Sequence, residues 1–180
     1  MANDYLVHKW RLWFRIFDVN HTGQFSQDDE TGDEERFVHL NNLSPERKKE
    51  VIAASKQMME EHYFRGKPGP LTEQAFVDMN NDEFKADKNK FKERMQKLFS
   101  TDFGIMDFSG EGSITQDVFI NAFQAAGHDN VELLTKFFNA YGPKDQKVSI
   151  QVFVDSWVHF TTCEDSSNPD IVKQYLEAGV

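Results

Sequence analysis

Cysteine pairs, histidine clusters and long apolar runs are all missing from this 180-residue chain, and each absence excludes a class of protein. Its single cysteine, Cys163, permits no internal disulfide and indicates a reducing compartment. The six histidines form no HExxH or HxxxH pair that would suggest a zinc site. No apolar stretch approaches a membrane span, and MANDYLVHKWRLWF lacks the continuous apolar segment of a secretion signal. We therefore expect a cytoplasmic protein without membrane attachment.

Basic residues are in the minority, with 20 Lys and Arg against 30 Asp and Glu and a formal net charge of −10. This charge disfavours nucleic acid and anionic lipid as partners and favours cations. A phosphate-binding loop is also missing, because Gly66-Lys67-Pro68 does not have the GxxxxGK[ST] spacing, and we expect no enzyme activity. The abundant residue is phenylalanine, present 17 times, which indicates an aromatic core.

The segment DVNHTGQFSQDD, from Asp18 to Asp29, has the spacing of an EF-hand calcium loop. Such a loop places oxygen ligands at alternate positions and a glycine, here Gly23, at position 6 for the sharp turn. Phe25 at position 8 is the apolar residue through which two loops pair. The ligands at positions 1, 3, 5, 7, 9 and 12 would be Asp18, Asn20, Thr22, the carbonyl oxygen of Gln24, Ser26 and Asp29. We therefore predict a Ca²⁺ site in this loop.

Position 12 departs from the usual motif, since it holds Asp29 where a glutamate normally binds the ion with both oxygens. Aspartate is one methylene shorter and should ligate through one oxygen. The site would then have six oxygen ligands, which is close to the octahedral coordination that Mg²⁺ demands. We therefore expect Mg²⁺ to compete with Ca²⁺ at this site.

Three weaker copies of the loop follow along the chain. In DFSGEGSITQDV, Asp107, Ser109 and Glu111 stand at positions 1, 3 and 5, but Val118 replaces the closing carboxylate, and whether this loop binds weakly stays open. FRGKPGPLTEQA and YGPKDQKVSIQV lack most side-chain ligands and are predicted to be structural. The four apolar loop centres are Phe25, Leu71, Ile114 and Val148. Each is followed by a serine or threonine, residues that cap an exiting helix.

Helices are predicted on both sides of every loop, because apolar residues recur there at helical spacing, as in Leu6, Trp10 and Trp13. One helix-loop-helix unit cannot bury its own apolar face, so the units should pair through short antiparallel contacts between loop centres. The predicted fold is all-α, with four EF-hand units in two pairs packed as one globule. Residues 1–86 would hold the first pair, and residues 87–180 the second pair and an apolar C-terminal helix.

An intact first loop that ends in aspartate, followed by damaged later loops, resembles the invertebrate sarcoplasmic calcium-binding proteins. The resemblance covers residues 4 to 178 and includes FDVNHTG after an aromatic helix and the apolar tail IVKQYLEAG. It implies a four-hand protein of muscle cytosol that buffers calcium and magnesium and whose relatives occur as shellfish allergens. The chain departs from the family pattern at Val118 and at Glu30, an acidic residue where an apolar one is usual, and we expect the first exiting helix to start irregularly.

Two functions are compatible with these features. The first is a monomeric cytosolic buffer of Ca²⁺ and Mg²⁺. The second is a carrier of a small apolar ligand, as in the related luciferin-binding proteins and photoproteins, with a cavity lined by Trp10, Trp13, Trp157 and Tyr175. Calcium-triggered release would work best with several competent loops, whereas one is complete here, so the buffer is favoured. A calmodulin-like sensor is disfavoured because six methionines are too few for an adaptable groove.

Overall fold

Nine α-helices and two short sheets make up the chain, and the computed structural model describes all of residues 1–180. The helices are α1 (Asp4–Phe17), α2 (Gln27–Leu40), α3 (Pro45–Met59), α4 (Glu73–Ala86), α5 (Lys88–Met106), α6 (Gln116–Ala125), α7 (Val131–Ala140), α8 (Ile150–Thr162) and α9 (Ile171–Glu177). The strands are β1 (Gln24–Phe25), β2 (Leu71–Thr72), β3 (Ser113–Thr115) and β4 (Lys147–Ser149). A single π-helical turn, Glu60–Phe64, extends α3 into the second loop. None of the helices is both long and apolar enough to cross a membrane.

The loops pair through their apolar centres, as the sequence predicts. Strands β1 and β2 are antiparallel and place Phe25 opposite Leu71, while β3 and β4 place Ile114 opposite Val148. All four side chains are buried. The prediction of an all-α fold with four EF-hand units in two pairs is therefore confirmed. The boundary at residue 86 stays a prediction, because one apolar core of 35 buried residues contains residues from both pairs.

Side-chain caps determine where the exiting helices begin. Ser26, Thr72, Thr115 and Ser149 each accept a hydrogen bond from a backbone N–H in the first turn of the following helix. At α2 the cap is reciprocal, because the carboxylate of Asp29 also accepts from the backbone of Ser26. The expectation of an irregular start to α2 is therefore wrong. The capping box completes the first turn, and Glu30 continues the helix with its side chain buried.

A buried ion pair attaches the C-terminal segment to the first helix. Lys9 on α1 is fully buried, and its ammonium lies 3.1 Å from a carboxylate oxygen of Asp170, whose side chain is 3% exposed. Asp170 also caps α9 by accepting from the backbone of Lys173. Val172 and Leu176 then bury the apolar face of α9. The tail therefore packs back on the core, as the resemblance implied.

We predict that Asp170→Asn destabilises the protein by about 3–5 kcal/mol, because it leaves the ammonium of Lys9 buried without its counterion. Asparagine still caps a helix, so the loss would report the ion pair and not the cap. Urea unfolding is the measurement, with Asp82→Asn on the exposed face of α4 as a control that should change little. The double variant Lys9→Met with Asp170→Asn should recover most of the loss, because it removes the buried charge and keeps the cap. An unchanged urea midpoint in Asp170→Asn would contradict the prediction.

Candidate metal centre

The first loop is curled around the carboxylate of Asp18, which ends α1 and is 4% exposed. One carboxylate oxygen accepts from the backbone N–H of Thr22 at 2.9 Å and from its hydroxyl at 3.0 Å. The other accepts from the backbone N–H of Gly23 at 2.7 Å. A carboxylate has about four acceptor positions, so these three bonds orient Asp18 and leave about one position for a cation.

The turn at the centre of the loop depends on glycine. Gly23 has a φ of +80°, a left-handed conformation that side chains make costly. No atom lies within 4 Å of the position that a Cβ would take, so the requirement comes from the backbone angle and not from lack of space. This supports the motif's demand for glycine at position 6.

The other predicted ligands fall into two hydrogen-bonded groups. The Thr22 hydroxyl lies between Asp18 and the Gln24 carbonyl oxygen, 3.1 Å from the latter, and its one proton is shared between these two acceptors. In the second half, one oxygen of Asp29 accepts from the backbone of Ser26 at 2.9 Å and from its hydroxyl at 2.8 Å. The other Asp29 oxygen accepts no hydrogen bond and is available to a cation. Asn20 is exposed and makes no side-chain hydrogen bond.

The chemistry of this donor set suits a hard divalent cation. The loop offers two carboxylates, Asp18 and Asp29, and no group of three or more His, Cys, Asp or Glu residues that could hold a metal ion occurs in the structure. The remaining four donors would be neutral oxygens, which gives six oxygens in all. Ca²⁺ accepts six to eight oxygen ligands and Mg²⁺ takes six. The residues therefore fit either ion, and their assignment as ligands stays a prediction.

The third loop repeats the start of the first loop and departs at its end. Asp107 accepts from the backbone N–H groups of Glu111 at 3.1 Å and Gly112 at 2.8 Å, the same pattern as Asp18. The carboxylate of Glu111, however, forms an ion pair with Lys147 of β4. At position 12, Val118 packs against the apolar core. This loop therefore has the EF-hand turn, but one carboxylate is neutralised and the closing ligand is absent.

The second and fourth loops are closed by contacts that involve no metal ligand. In the second, Phe64 occupies position 1 and stacks on Phe25, with ring centroids 5.7 Å apart. In the fourth, Lys144 and Lys147 exchange backbone hydrogen bonds of 3.0 and 2.9 Å across a tight turn that contains Asp145. Both loops contribute a paired strand and no set of ligands, consistent with the structural role predicted from their sequences.

A cavity of about 190 Å³ lies between the main core and a small cluster formed by Phe37, Val38, Val51 and Ala125. Trp13 and Trp157 line it, as predicted. The prediction is wrong for Trp10 and Tyr175. Trp10 donates its indole N–H to the carbonyl of Thr161 in the core, and Tyr175 stacks on Phe137. Both rings are used in packing, which helical spacing alone does not distinguish from cavity lining.

Four carboxyl groups also line this cavity, and sequence reasoning missed them. Burial raises the pKa of Glu30 to about 9, helped by a hydrogen bond with Glu34. Burial also raises the pKa of Asp33 to about 6, against the opposing effect of Arg36, and the pKa of Asp102 to about 6. The sequence carries one signal for them. Glu30 directly follows the loop, and Asp33 and Glu34 come three and four residues later, on the same face of the helix.

The raised pKa of Asp102 predicts that this group destabilises the folded protein at neutral pH. Its carboxyl has a higher proton affinity in the folded than in the unfolded chain, so the cost is present above pH 6 and is relieved as the pH falls toward 4. Asp102→Asn should therefore raise the melting temperature at pH 7 and reduce the gain that the parent shows on acidification. Thermal unfolding in a metal chelator measures this, with Asp82→Asn as control. A lower melting temperature of Asp102→Asn at pH 7 would refute it.

Comparisons with known proteins agree with this architecture. No protein-family model matches the sequence. The sarcoplasmic calcium-binding protein of Mizuhopecten yessoensis is 32% identical over 176 residues, which cover 97% of this chain and 99% of that protein. Among solved structures, the coelenterazine-binding protein from Renilla muelleri in its calcium-loaded apo form has a TM-score of 0.77 at 15% identity, covering 96% of this chain and 94% of that one. The structure of n-aequorin has a TM-score of 0.69 at 16% identity, with coverage of 96% and 94%.

The two solved structures share the four-unit fold, and at such low identity they show the fold alone. The sequence relative extends the likeness over nearly the full length of both chains, across the intact first loop and the degenerate later ones. The resemblance drawn from the loop pattern is thereby confirmed, and the chain is a calcium-binding protein of the sarcoplasmic calcium-binding protein family.

Proposed function

We propose that this protein is a monomeric cytosolic buffer of Ca²⁺ and Mg²⁺, located in the sarcoplasm of muscle, with one firm site in the first loop. The observation that carries the proposal is the state of the four loops. The first has an oriented Asp18 and a free oxygen on Asp29, whereas the other three have lost or neutralised ligands. The net charge of −10 further favours cations over nucleic acid or anionic membranes as partners.

Binding at this loop would neutralise charge without opening the molecule. Hydrogen bonds within the loop hold Asp18 at the end of α1, and the capping box fixes the start of α2. The helices that would have to separate in a sensor instead share a core covered by α9, where Val172 and Leu176 are buried. A cation that binds this folded arrangement stabilises it by mass action, which is the behaviour of a buffer.

The geometry of Asp29 supports a mixed Ca²⁺ and Mg²⁺ site. One of its oxygens is engaged by the backbone and hydroxyl of Ser26, so a single oxygen remains for the ion. The resulting six-oxygen set is compatible with the octahedral preference of Mg²⁺. In a resting cell Mg²⁺ would occupy the loop and would have to leave before Ca²⁺ binds. Slow exchange of this kind suits a buffer better than a rapid trigger.

A second candidate function is the transport of a small organic ligand, favoured by the cavity beside Trp13 and Trp157. The related fold of a coelenterazine-binding protein supports the idea that four EF-hand units can enclose such a ligand. The two functions are compatible, since the cavity and the first loop use different residues. Native mass spectrometry with and without calcium would count the ions and detect any organic molecule retained by the protein.

The first functional prediction concerns the number and place of the ions. At one hundred times its Kd, calcium should stabilise the parent by about 2.7 kcal/mol. Asp18→Ala should abolish this stabilisation, because it removes a carboxylate ligand and the acceptor that curls the loop. The matched control is Asp107→Ala in the third loop, which should retain it. Titration calorimetry gives the stoichiometry. Tight binding that survives in Asp18→Ala, or two tight ions in the parent, would disprove the single-site assignment.

The second functional prediction concerns selectivity. Asp29→Glu should strengthen Ca²⁺ binding relative to Mg²⁺, because the longer side chain can offer both oxygens and raise the coordination number. Competition calorimetry, with Ca²⁺ titrated into protein at increasing Mg²⁺, measures the ratio of the two affinities. Asp28→Glu, one position earlier on the exposed surface, is the matched control and should leave the ratio unchanged. If Mg²⁺ competes as well in Asp29→Glu as in the parent, the mixed-site mechanism is wrong.

A further inference from the structure

The inward face of α2 carries carboxyl groups at positions where a buried helix face normally carries apolar side chains. Glu30, Glu34, Phe37 and Val38 follow one another at helical spacing and are all buried. Glu30 and Glu34 are each 6% exposed. The carboxyl groups of Glu30 and Glu34 can share a proton with each other, but no backbone or side-chain N–H donates to one oxygen of Glu30 or to either oxygen of Glu34. Unsatisfied buried polar atoms are costly, so apolar residues here would stabilise the fold.

Glu30 and Glu34 are both lining residues of the cavity between the two apolar clusters. Of the 23 residues that surround it, 18 are hydrophobic, including Trp13, Phe103 and Trp157. The polar remainder is Ser55 and four acids, of which Asp33 lies on α2 and Asp102 on α5. The cavity therefore combines an aromatic wall with an acidic one.

No positive charge within the cavity balances these acids. Neither lysine, arginine nor histidine is among the lining residues. Arg36 bonds to Asp33 from the surface side and also to the carbonyl oxygen of Ala125, so it is engaged outside the cavity. Lys56 acts on Glu30 from α3, where its own side chain is exposed. Glu34 and Asp102 make no ion pair. A ligand that brings hydrogen-bond donors and a positive charge would complete the site.

We propose that this cavity binds a small amphipathic amine, with its ammonium group on the carboxylate of Glu34, beside Glu30, and its apolar body between Trp13 and Trp157. An ammonium group has three donors and no acceptor, which matches the two oxygens of Glu34 that receive no N–H donor. An apolar cavity of about 150 Å³ accommodates benzene. The 190 Å³ here therefore suits one ring with a short amine chain.

This inference goes beyond calcium buffering and gives the carrier function a chemical class of ligand. Three small molecules of similar shape and different charge test it. Phenethylamine is the cation, phenethyl alcohol the neutral control and hydrocinnamate the anion. Each is titrated into the full-length protein at saturating calcium, with tryptophan fluorescence and ligand-observed NMR as readouts. We expect the amine to bind about tenfold more tightly than the alcohol, since a hydrogen bond between charged groups supplies a factor of this order. The anion should not bind.

Variants of α2 locate the interaction. Glu34→Gln should weaken the amine about tenfold and leave the alcohol unchanged, whereas Glu35→Gln on the exposed face of the same helix should alter neither. Ala122→Leu fills the cavity from α6 and should remove binding of both. Melting temperatures establish that each variant is folded. Equal affinity for amine and alcohol, an unaffected amine in Glu34→Gln, or no binding by any probe would overturn the proposal.

The same samples separate this proposal from the buffer function. Glu34→Gln should still bind one calcium ion per chain by calorimetry, because Glu34 lies outside the predicted ligand set. Asp18→Ala should lose calcium and, at zero added metal, should bind phenethylamine as the metal-free parent does. If the parent binds calcium but does not prefer the amine to the alcohol, the amine-binding proposal fails and the buffer function stands. If the parent prefers the amine but binds no calcium, the buffer function fails and the amine-binding proposal stands.

Discussion

The pairing of loop centres is the constraint on which the rest of this structure depends. A helix-loop-helix unit has an apolar face that it cannot bury by itself, so each unit needs a partner. Phe25 opposite Leu71 and Ile114 opposite Val148 supply that contact, and the helices on either side then share one core. This explains why the second and fourth units persist without a set of metal ligands: the first and third could not fold without them.

Once metal is no longer needed to close a loop, other interactions close it. Phe64 replaces the first ligand of the second loop with a stacked ring, and two backbone hydrogen bonds tighten the fourth loop. In the third, Lys147 of the paired strand supplies to Glu111 the positive charge that an ion would otherwise supply. The first loop has no such substitute: its carboxylates, Asp18 and Asp29, accept hydrogen bonds only from the loop itself and meet no basic side chain. The predicted difference between structural and binding loops is therefore which partner neutralises the loop.

The sequence predicted features whose cause is local. Loop centres, helix caps and the glycine at position 6 follow from a few neighbouring residues, and the structure has them where the pattern indicates. Features whose cause lies far along the chain could not be predicted from the sequence. Lys147 reaches Glu111 only because two strands align, and Trp10 is excluded from the cavity by a carbonyl 151 residues away. The buried position of Glu30 was unexpected, because acidic residues normally face solvent. The capping box explains why α2 starts regularly there, and the side chain of Glu30 lies at the cavity.

The ion pair between Lys9 and Asp170 also bears on how the protein is made. Its two partners are separated by 161 residues, nearly the whole chain. During synthesis the ammonium of Lys9 has no buried counterion until the segment that carries Asp170 has left the ribosome. The helix that presents Asp18 is therefore made long before the contact that completes its packing, and its final position is fixed late in folding.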